Sequence, residues 1–362
     1  MMEQLDKMPA DLSKIDASVV VFDDHFAINS STRCQHRCVY CFEGERDGYR
    51  EIPTNDVIEL LKQAATKVKA VVLMGAEATL RSDFVEILAA GTALGLEMRL
   101  STNALRFSDK QFLEASIDAG LKKVELSFPY ADVEVYKAIT GAKETGFQML
   151  LQALDNIRLD GRMRCNVNVV VSSFNIDRLD AAIDLAARHL GPAIGLLTLL
   201  RCMDNEPSRV VTADRLRKAL VPCLSGWHHP FPVVLRNFPM CTVPGFEHLD
   251  ADLVYIRQGV TVLDNFLQQD EFVPMYESAV ANSVNSLSQC KICSLADLCY
   301  SRRVFRERPD DPTNLPIPST KDPRQVLIAN RTDPEDVELT IESLIAGKQA
   351  VLAGKLKELG ED

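Results

Sequence analysis

The sequence predicts an α/β protein whose main domain is a partial (β/α)6 barrel. Six short apolar runs alternate with amphipathic stretches from about residue 26 to residue 202, and the alternation fails after about residue 205. Near-continuous apolar runs are typical of strands buried on both faces of a parallel sheet, and the stretches between them supply helical crossovers. Six units are fewer than the eight that close a full barrel, so we expect an open, TIM-like sheet with any site at the carboxyl ends of its strands.

The predicted strands share a high content of Val, Leu and Ile. They span residues 26–32, 68–75, 97–104, 122–129, 164–172 and 194–202. Between them, Val57, Leu61 and Ala64 share one face of a predicted helix with Leu60. A second helical pattern spans residues 176–191 and ends at Gly191, a residue that commonly caps helix C-termini.

This pattern divides the chain into four predicted regions. Residues 1–25 form an N-terminal extension, residues 26–205 the barrel core, residues 206–305 a small cysteine-rich domain, and residues 306–362 a connector followed by a C-terminal helical tail. Segment 309–323 carries five prolines, which favours an extended connector. Apolar residues recur at helical spacing through 334–360.

Composition and charge exclude some classes of function. Lys and Arg number 40 against 51 Asp and Glu, so the formal net charge is −11 and offers no general attraction for nucleic acid or anionic lipid. The sequence contains no apolar run of the roughly 18 residues that a membrane span needs. The N-terminus lacks a basic-then-apolar signal pattern. We therefore expect a cytoplasmic protein without membrane or nucleic-acid partners.

Ten cysteines are many for a cytoplasmic chain of 362 residues, and clustered cysteines in a reducing compartment hold metal more often than they form disulfides. Cys34, Cys38 and Cys41 follow the first predicted strand with CxxxCxxC spacing. Random placement yields this spacing with a probability of roughly 0.7%. Three thiolates are one fewer than a closed structural site uses, so an iron–sulfur cluster held here would keep one iron open to another ligand.

The triplet CQHRCVYC at the end of the first barrel strand resembles the radical SAM superfamily. The resemblance implies that Cys34, Cys38 and Cys41 bind a [4Fe–4S] cluster whose open iron chelates S-adenosyl-L-methionine (SAM). It also implies that an electron from the cluster splits SAM and that the resulting 5′-deoxyadenosyl radical removes a hydrogen atom from the substrate. An external electron donor of the flavodoxin or ferredoxin type is implied as well.

Further segments resemble the SAM-binding motifs of this superfamily. MGAEAT (74–79) stands where members have a GGEP-like motif, which implies that Gly75 and Glu77 lie at the SAM amino group, although Ala76 and Ala78 replace the usual Gly and Pro. STNA (101–104) implies ribose contacts from Ser101 and Asn103. Tyr40 stands where members often have an aromatic residue against adenine. YKAITG (136–141) resembles a segment that follows the fourth strand in many members.

A second cysteine group, Cys290, Cys293 and Cys299, has CX2CX5C spacing. It resembles the core of the SPASM and twitch domains, which carry auxiliary iron–sulfur clusters. The full SPASM pattern has a further cysteine where this chain has Arg303, so we expect one auxiliary [4Fe–4S] cluster. Cys241 is the expected fourth ligand and Cys223 the reserve. Structural zinc remains the alternative, because four cysteines at these spacings also suit it.

Three functional hypotheses remain from the sequence. The protein is a radical SAM enzyme that oxidises, epimerises or crosslinks a ribosomally made peptide, or one that acts on a small molecule; a single auxiliary cluster leans slightly towards the second. The third hypothesis is a non-catalytic iron–sulfur or zinc protein that serves as a partner or redox module. No catalytic acid or base can be identified.

Overall fold

A computed structural model of the protein describes residues 23–41, 51–202, 209–258, 262–264, 288–299, 311–330, 337 and 341. Its centre is one sheet of eight parallel strands in the order β7-β6-β5-β4-β3-β2-β1-β8. The strands are β1 (His25–Ser31), β2 (Ala70–Gly75), β3 (Glu97–Thr102), β4 (Leu121–Ser127), β5 (Arg164–Val171), β6 (Ile194–Arg201), β7 (Val233–Arg236) and β8 (Val262–Asp264).

The helices described in the barrel region connect successive strands. They are α1 (Thr54–Ala65), α2 (Phe84–Ala93), α3 (Lys110–Asp118), α4 (Val133–Thr140), α5 (Glu144–Asp160), α6 (Leu179–Leu190), α7 (Ala213–Ser225) and α8 (Ala251–Gln258). Two short helices follow, α9 (Ser288–Lys291) and α10 (Pro323–Ala329). Parallel strands joined by helices place the loops that follow each strand at one edge of the sheet, and this edge holds the first cysteine group.

The predicted α/β partial barrel is confirmed. Each of the six predicted strands lies within three residues of an observed one, and Gly191 caps α6 with a positive φ of 51°. Strands β1, β2, β3 and β5 each contain at least three consecutive buried residues, and Val167, Val169 and Val171 on β5 are fully buried. Hydrophobic burial on both faces explains why the sequence pattern found them.

The expectation that no barrel unit follows residue 205 is wrong. Helix α7 and strand β7 add a further unit, and β7 pairs in parallel with β6 from Leu197↔Val233 to Leu200↔Arg236. At the opposite side, β8 pairs with β1. Both added strands are only three or four residues long, which is too short for apolar periodicity to be visible.

The described residues form two hydrophobic cores. The larger one lies between the sheet and helices α1 to α8. The smaller one belongs to the cysteine-rich region and is built by Met240, Leu253, Leu295, Leu298, Cys299, Val326, Leu327 and Val337. A separate core agrees with a distinct module after the barrel, and the boundaries of the four predicted regions stay a prediction.

Two further expectations concern the termini and the membrane. Most of the helix predicted over 334–360 lies outside the described residues. Of the extension predicted over 1–25, only residues 23–25 are described. Where the structure describes helices, none is both long and apolar enough to cross a bilayer.

Candidate functional site

Three loops meet at the carboxyl ends of β1, β2 and β3, and together with the last residues of β2 and β3 they hold the residues that the sequence assigns to SAM and its cluster. The first carries Cys34, Cys38 and Cys41, the second carries Glu77, and the third carries Asn103. Hydrogen bonds link the second and third loops through Glu77 and the first and third through Asn103. The structure therefore brings the predicted residues together.

The cysteine loop is anchored to the C-terminal end of α4. The backbone N–H of Arg37 donates to the Thr140 carbonyl oxygen (2.9 Å), and that of Val39 donates to the Ile139 carbonyl oxygen (2.9 Å). The last carbonyls of a helix have no partner within it, so they are available to an incoming loop. This docking gives a structural role to the YKAITG segment.

A histidine–tyrosine contact supports the same docking. Nε2 of His36 lies 2.7 Å from the Tyr136 hydroxyl, and the two rings meet edge to face. Both residues are buried. Burial lowers the pKa of His36 to about 4, so the ring is neutral at physiological pH.

The thiols of the cysteine loop stand close enough to influence one another. Burial raises the pKa of Cys34 to about 11, and the neighbouring Glu77 and Cys41 add to the rise. Burial raises the pKa of Cys38 to about 12, with contributions from Cys41 and Cys34. Crowded thiolates without a cation are unfavourable, and metal ligation reverses this because it favours the deprotonated form.

Glu77 lies at the centre of a buried hydrogen-bond network. Its Oε1 accepts from the hydroxyls of Thr79 (2.6 Å) and Thr102 (2.7 Å), and its Oε2 accepts from the backbone N–H of Asn103 (2.8 Å). The residue is only 1% exposed. Burial raises the pKa of Glu77, and these hydrogen bonds oppose the rise. The carboxylate thus fixes the end of β3 against the end of β2.

Asn103 is the direct link to the cysteine loop. Its Nδ2 donates to Sγ of Cys34 (3.6 Å), and its Oδ1 accepts from Nε2 of Gln35 (3.2 Å). The next residue, Ala104, has a φ of 65°, a conformation that residues other than glycine rarely adopt. Backbone strain of this kind is found where the surrounding structure fixes a functional turn.

The remaining predicted contacts lie around this network. Gly75 ends β2 with a φ of 116°, and a Cβ there would lie 2.5 Å from the Ser31 carbonyl oxygen. Ser101 is half-buried near the end of β3. Tyr40 packs against the main core, and burial raises the pKa of its hydroxyl well above the usual value, with a contribution from Cys38.

A second site lies in the cysteine-rich region. Cys241, Cys290, Cys293 and Cys299 line one cavity of about 210 Å³. Burial raises the pKa of Cys241 to about 12, and the thiols of Cys299 and Cys290 raise it further. The structure therefore brings the predicted fourth cysteine to the CX2CX5C group.

The proline-rich connector forms one wall of this cavity. Pro316, Ile317, Pro318 and Ser319 line it, and the Ser319 N–H donates to Sγ of Cys293 (3.3 Å). Arg217 closes another side, donating from Nε to the Cys241 carbonyl oxygen and from Nη2 to that of Leu315 (both 2.9 Å). The connector is extended, as the sequence predicts, and it also packs against the cysteine-rich region.

Cys223 lies elsewhere, on α7. It is buried, and its thiol pairs with Asp180 of α6, which together with burial raises its pKa. It is not among the residues that line the four-cysteine cavity. The geometry thus favours Cys241 over the reserve ligand.

The spacing of the sulfurs bears on the choice between zinc and a cluster. Within the described ranges, one group of ligand atoms is compact enough to lie wholly within 4.8 Å, and it contains no cysteine. A single tetrahedral zinc would hold its sulfurs about 3.8 Å apart, given bonds of about 2.3 Å. A cubane holds its ligands farther apart because each sulfur binds a different iron. Neither cysteine group has the compactness of a zinc site.

Several residues at the carboxyl edge of the sheet were not predicted from the sequence. The hydroxyls of Thr79 and Thr102 donate hydrogen bonds to the Glu77 carboxylate, and the His36–Tyr136 pair supports the cysteine loop. Arg201, at the carboxyl end of β6, is only 2% exposed and donates to the Asn237 carbonyl oxygen. A charged residue at the end of the apolar run LLTLL was the one sequence signal for it.

Comparison with known sequences agrees with this geometry. The family model of the Radical SAM superfamily matches residues 28–186. The mycofactocin maturase MftC of Mycolicibacterium smegmatis is 34% identical over 162 residues, covering 43% of this chain and 40% of the relative. The probable GTP 3′,8-cyclase of Thermococcus kodakarensis is 30% identical over 131 residues, covering 35% and 41%. The matches thus span about two fifths of these relatives' length.

Solved structures extend the similarity beyond that region. Streptococcus suis SuiB bound to S-adenosylmethionine superposes with a TM-score of 0.55 at 16% identity, covering 82% of this chain and 76% of SuiB. Native anSMEcpe with bound AdoMet and Cp18Cys peptide superposes with a TM-score of 0.54 at 15% identity, covering 91% and 99%. At such identities the likeness shows a shared fold. The matched segment, the open parallel sheet and the cysteine loop at its carboxyl edge agree, so residues 28–186 are similar to the Radical SAM superfamily, and a cysteine-rich region follows the barrel.

Proposed function

We propose that this protein is a radical SAM enzyme that cleaves SAM reductively and abstracts a hydrogen atom from a peptide substrate, in the cytoplasm. The observation that carries the proposal is the convergence of Cys34, Cys38, Glu77 and Asn103 at one edge of the sheet. The family uses a [4Fe–4S] cluster and SAM, and its members are enzymes.

The donor set at this edge fits such a cluster. Three cysteines lie on an eight-residue loop, and Cys34 and Cys41 are exposed while Cys38 is half-buried. Cys34, Cys38 and Cys41 would ligate three irons, and the fourth would remain for SAM. When bound, the cluster supplies the electron that cleaves SAM.

The chain's own residues position and shield that chemistry. Glu77 keeps the ends of β2 and β3 in register, and its placement supports a role near the SAM amino group. Ser101 and Asn103 are the proposed ribose contacts and Tyr40 the proposed adenine contact. Gly75 allows the backbone to approach β1 closely. Fixing these groups before SAM binds lowers the entropic cost of reaching a reactive geometry.

The four-cysteine cavity fits one auxiliary [4Fe–4S] cluster. Cys241, Cys290, Cys293 and Cys299 would close its coordination, which suits electron relay or structure better than substrate ligation. Four thiolates around a cubane leave net negative charge, and the Arg217 guanidinium at the cavity wall offsets it. A volume of about 210 Å³ also exceeds what a single ion requires.

A peptide is the favoured substrate class because a curated relative is a maturase and a structural neighbour holds a bound peptide. Oxidation, epimerisation or crosslinking of that peptide would each begin with hydrogen abstraction. The second candidate is a small molecule, and the similarity to a probable GTP cyclase favours it. An external electron donor of the flavodoxin or ferredoxin type completes the proposal.

The test is anaerobic reconstitution with iron and sulfide, followed by SAM and dithionite. We expect the wild-type protein to form 5′-deoxyadenosine, Cys38→Ala to form none, and Cys165→Ala to match the wild type. Cys165 is a suitable control because it is a buried cysteine on β5, remote from both cysteine groups in sequence. Mass spectrometry of short peptides encoded beside the gene then separates peptide from small-molecule substrates.

Two outcomes would contradict the proposal. A wild-type protein that holds its clusters and SAM yet forms no 5′-deoxyadenosine would favour the non-catalytic redox or partner role. A Cys38→Ala protein that retains full iron content and activity would remove the cysteine loop from the mechanism.

A further inference from the structure

A compact group of ligand atoms lies at the other end of the barrel from both cysteine sites. Asp184 belongs to α6, and His228 and His229 belong to the connection between α7 and β7. Connections that lead into a strand lie at the amino edge of the sheet, whereas the cysteine loop follows β1 at the carboxyl edge. The radical SAM chemistry proposed above therefore does not use these residues.

The distances within the group are those of metal ligands. Nε2 of His228 lies 3.7 Å and Nε2 of His229 lies 3.4 Å from the same oxygen, Oδ1 of Asp184. All three ligand atoms lie within 4.8 Å of one another. A tetrahedral zinc with bonds of about 2.1 Å holds its nitrogen and oxygen ligands about 3.4 Å apart.

The orientation of the His228 ring is set by its other nitrogen. Nδ1 lies 3.2 Å from the Gly226 carbonyl oxygen, which can only accept a hydrogen bond. This contact directs Nε2 of His228 towards Asp184. Such a backbone hydrogen bond at the second nitrogen is how proteins orient metal-binding histidines.

His229 is held in place by its neighbours. Its ring stacks on Phe231 at 5.1 Å with an interplanar angle of 13°, and it meets Trp227 edge to face at 5.2 Å. Two ring nitrogens and one carboxylate oxygen thus lie close together around one point, an arrangement that a bound cation stabilises.

We propose that Asp184, His228 and His229 form a binding site for a divalent transition-metal ion of the zinc class. Two imidazoles and one carboxylate are ligands that suit zinc. His228 is 73% exposed and Asp184 47% exposed at their side chains, so water has access to the remaining position. The bound ion would join the α7–β7 connection to α6.

The test measures zinc uptake by the protein with both cysteine sites reconstituted, so that the thiols are already ligated. Equilibrium dialysis against Zn²⁺, with zinc and iron counted by mass spectrometry, is applied to the wild type, His228→Gln and Asp184→Asn. The His228 side chain is largely exposed and that of Asp184 is about half exposed, so both substitutions should leave folding intact. His189→Gln is the matched control, because Nδ1 of His189 lies 3.2 Å from Asp155 and the described part of the chain places no third ligand there.

We expect the wild type and His189→Gln to bind one zinc more than His228→Gln or Asp184→Asn at low micromolar Zn²⁺, with iron content unchanged. Loss of an outer-shell partner alone typically costs about 10–100-fold in metal affinity, so removal of a ligand itself should weaken binding by at least about 100-fold. Zinc should also raise the Tm of the wild type and not that of His228→Gln. Equal zinc uptake by the wild type and His228→Gln, or loss of zinc with equal loss in His189→Gln, overturns the proposal.

Discussion

At the residue scale, Glu77 combines two tasks that can be separated by experiment. The resemblance to the GGEP motif assigns it to the SAM amino group, whereas the structure shows its oxygens engaged by Thr79, Thr102 and the Asn103 backbone. A carboxylate that only bound SAM would matter for affinity alone. A carboxylate that holds two loops together should also matter for folding.

We therefore expect Glu77→Gln to lower stability as well as SAM affinity. The amide keeps one acceptor oxygen but turns a donor towards either the Asn103 N–H or the threonine hydroxyls. The threonine hydroxyls can rotate to accept from the amide, but a charge-assisted hydrogen bond is then lost, and a donor facing the Asn103 N–H would be unsatisfied; either costs about 1–3 kcal/mol. The measurement is urea unfolding of the SAM-free protein beside a SAM binding titration.

Glu86→Gln is the control, since Glu86 is exposed on α2. It should leave both the unfolding midpoint and SAM affinity at wild-type values. If Glu77→Gln weakens SAM binding and keeps wild-type stability, the network around it is not structural.

Gly75 gives a second prediction at this scale. A Cβ at this position would lie 2.4 Å from Asn29 Oδ1 and 2.5 Å from the Ser31 carbonyl oxygen, and the φ of 116° is unfavourable for any L side chain. Gly75→Ala should lower the free energy of unfolding by about 1–3 kcal/mol and reduce 5′-deoxyadenosine formation. Thermal unfolding and the anaerobic assay check it.

Gly195→Ala is the matched control for Gly75. Gly195 lies on β6, and a Cβ there meets nothing closer than 3.8 Å. This substitution should be neutral or stabilising because it restricts the unfolded chain. Equal effects of the two substitutions would refute the steric account of Gly75.

At the element scale, α4 is the platform of the cysteine loop. Asp132 caps its N-terminus by accepting from the Val135 N–H (2.9 Å), and it also pairs with Arg178. At the other end of the helix, the carbonyl oxygens of Ile139 and Thr140 receive the cysteine loop. Weakening this N-terminal cap should therefore also disturb the cysteine loop at the other end of the helix.

We expect Asp132→Ala to cost about 1 kcal/mol of stability at neutral pH and to slow cluster incorporation. The Val135 N–H and Arg178 lower the pKa of Asp132. A carboxyl group with a lowered pKa stabilises the fold above its ordinary pKa, and this contribution is lost as pH falls through the lowered value. Denaturation of the cluster-free protein near pH 7 and below pH 3.8 measures both parts.

Asp132→Asn tests the same prediction from the other side. Asn caps helices as well as Asp does, so it should recover most of the neutral-pH stability while losing the pH dependence. A deficit in Asp132→Ala that stays constant down to the acid limit would contradict the assignment of the cap to the ionised carboxylate.

The strands and helices of the barrel could be predicted from the sequence where their burial produces a regular pattern of apolar residues. Strands β1 to β6 each carry two or more buried apolar residues, and Val57, Leu61 and Ala64 of α1 are all buried, as their spacing predicts. Strands β7 and β8 left no such pattern because they are only a few residues long. Their pairing depends on long-range contacts with β6 and β1, which periodicity does not report.

At the scale of the whole molecule, each candidate site likewise has a part that the sequence could predict and a part that required the fold. The CxxxCxxC spacing was enough to predict that Cys34, Cys38 and Cys41 lie together, because local sequence sets the geometry of a short loop. The Thr79, Thr102 and His36 contacts join segments that are distant in sequence or lack a motif, so they required the fold. Cys241 lies 49 positions before Cys290, and only the three-dimensional structure distinguishes it from Cys223.

The auxiliary site also depends on the connector after it. Lys321 pairs with Glu247 (2.9 Å), Ser294 Oγ donates to the Ser319 and Lys321 carbonyl oxygens, and Thr313 accepts from the Asp214 N–H. These contacts hold the proline-rich segment over the cavity. Prolines lower the entropy that the segment loses on docking, because their φ is already fixed.

Single cysteine substitutions can distinguish which thiol is the fourth ligand of the auxiliary site. In the reconstituted protein, Cys241→Ala should lower iron from about eight to about four per chain, whereas Cys223→Ala should keep the full content. The reason is geometric: Cys241 lines the cavity with the CX2CX5C sulfurs, and Cys223 is buried against Asp180. Iron and acid-labile sulfide analysis measures the difference. The reverse pattern, in which Cys223→Ala loses a cluster and Cys241→Ala does not, would mean that the holo-protein rearranges α7 and that the cavity is not the auxiliary site.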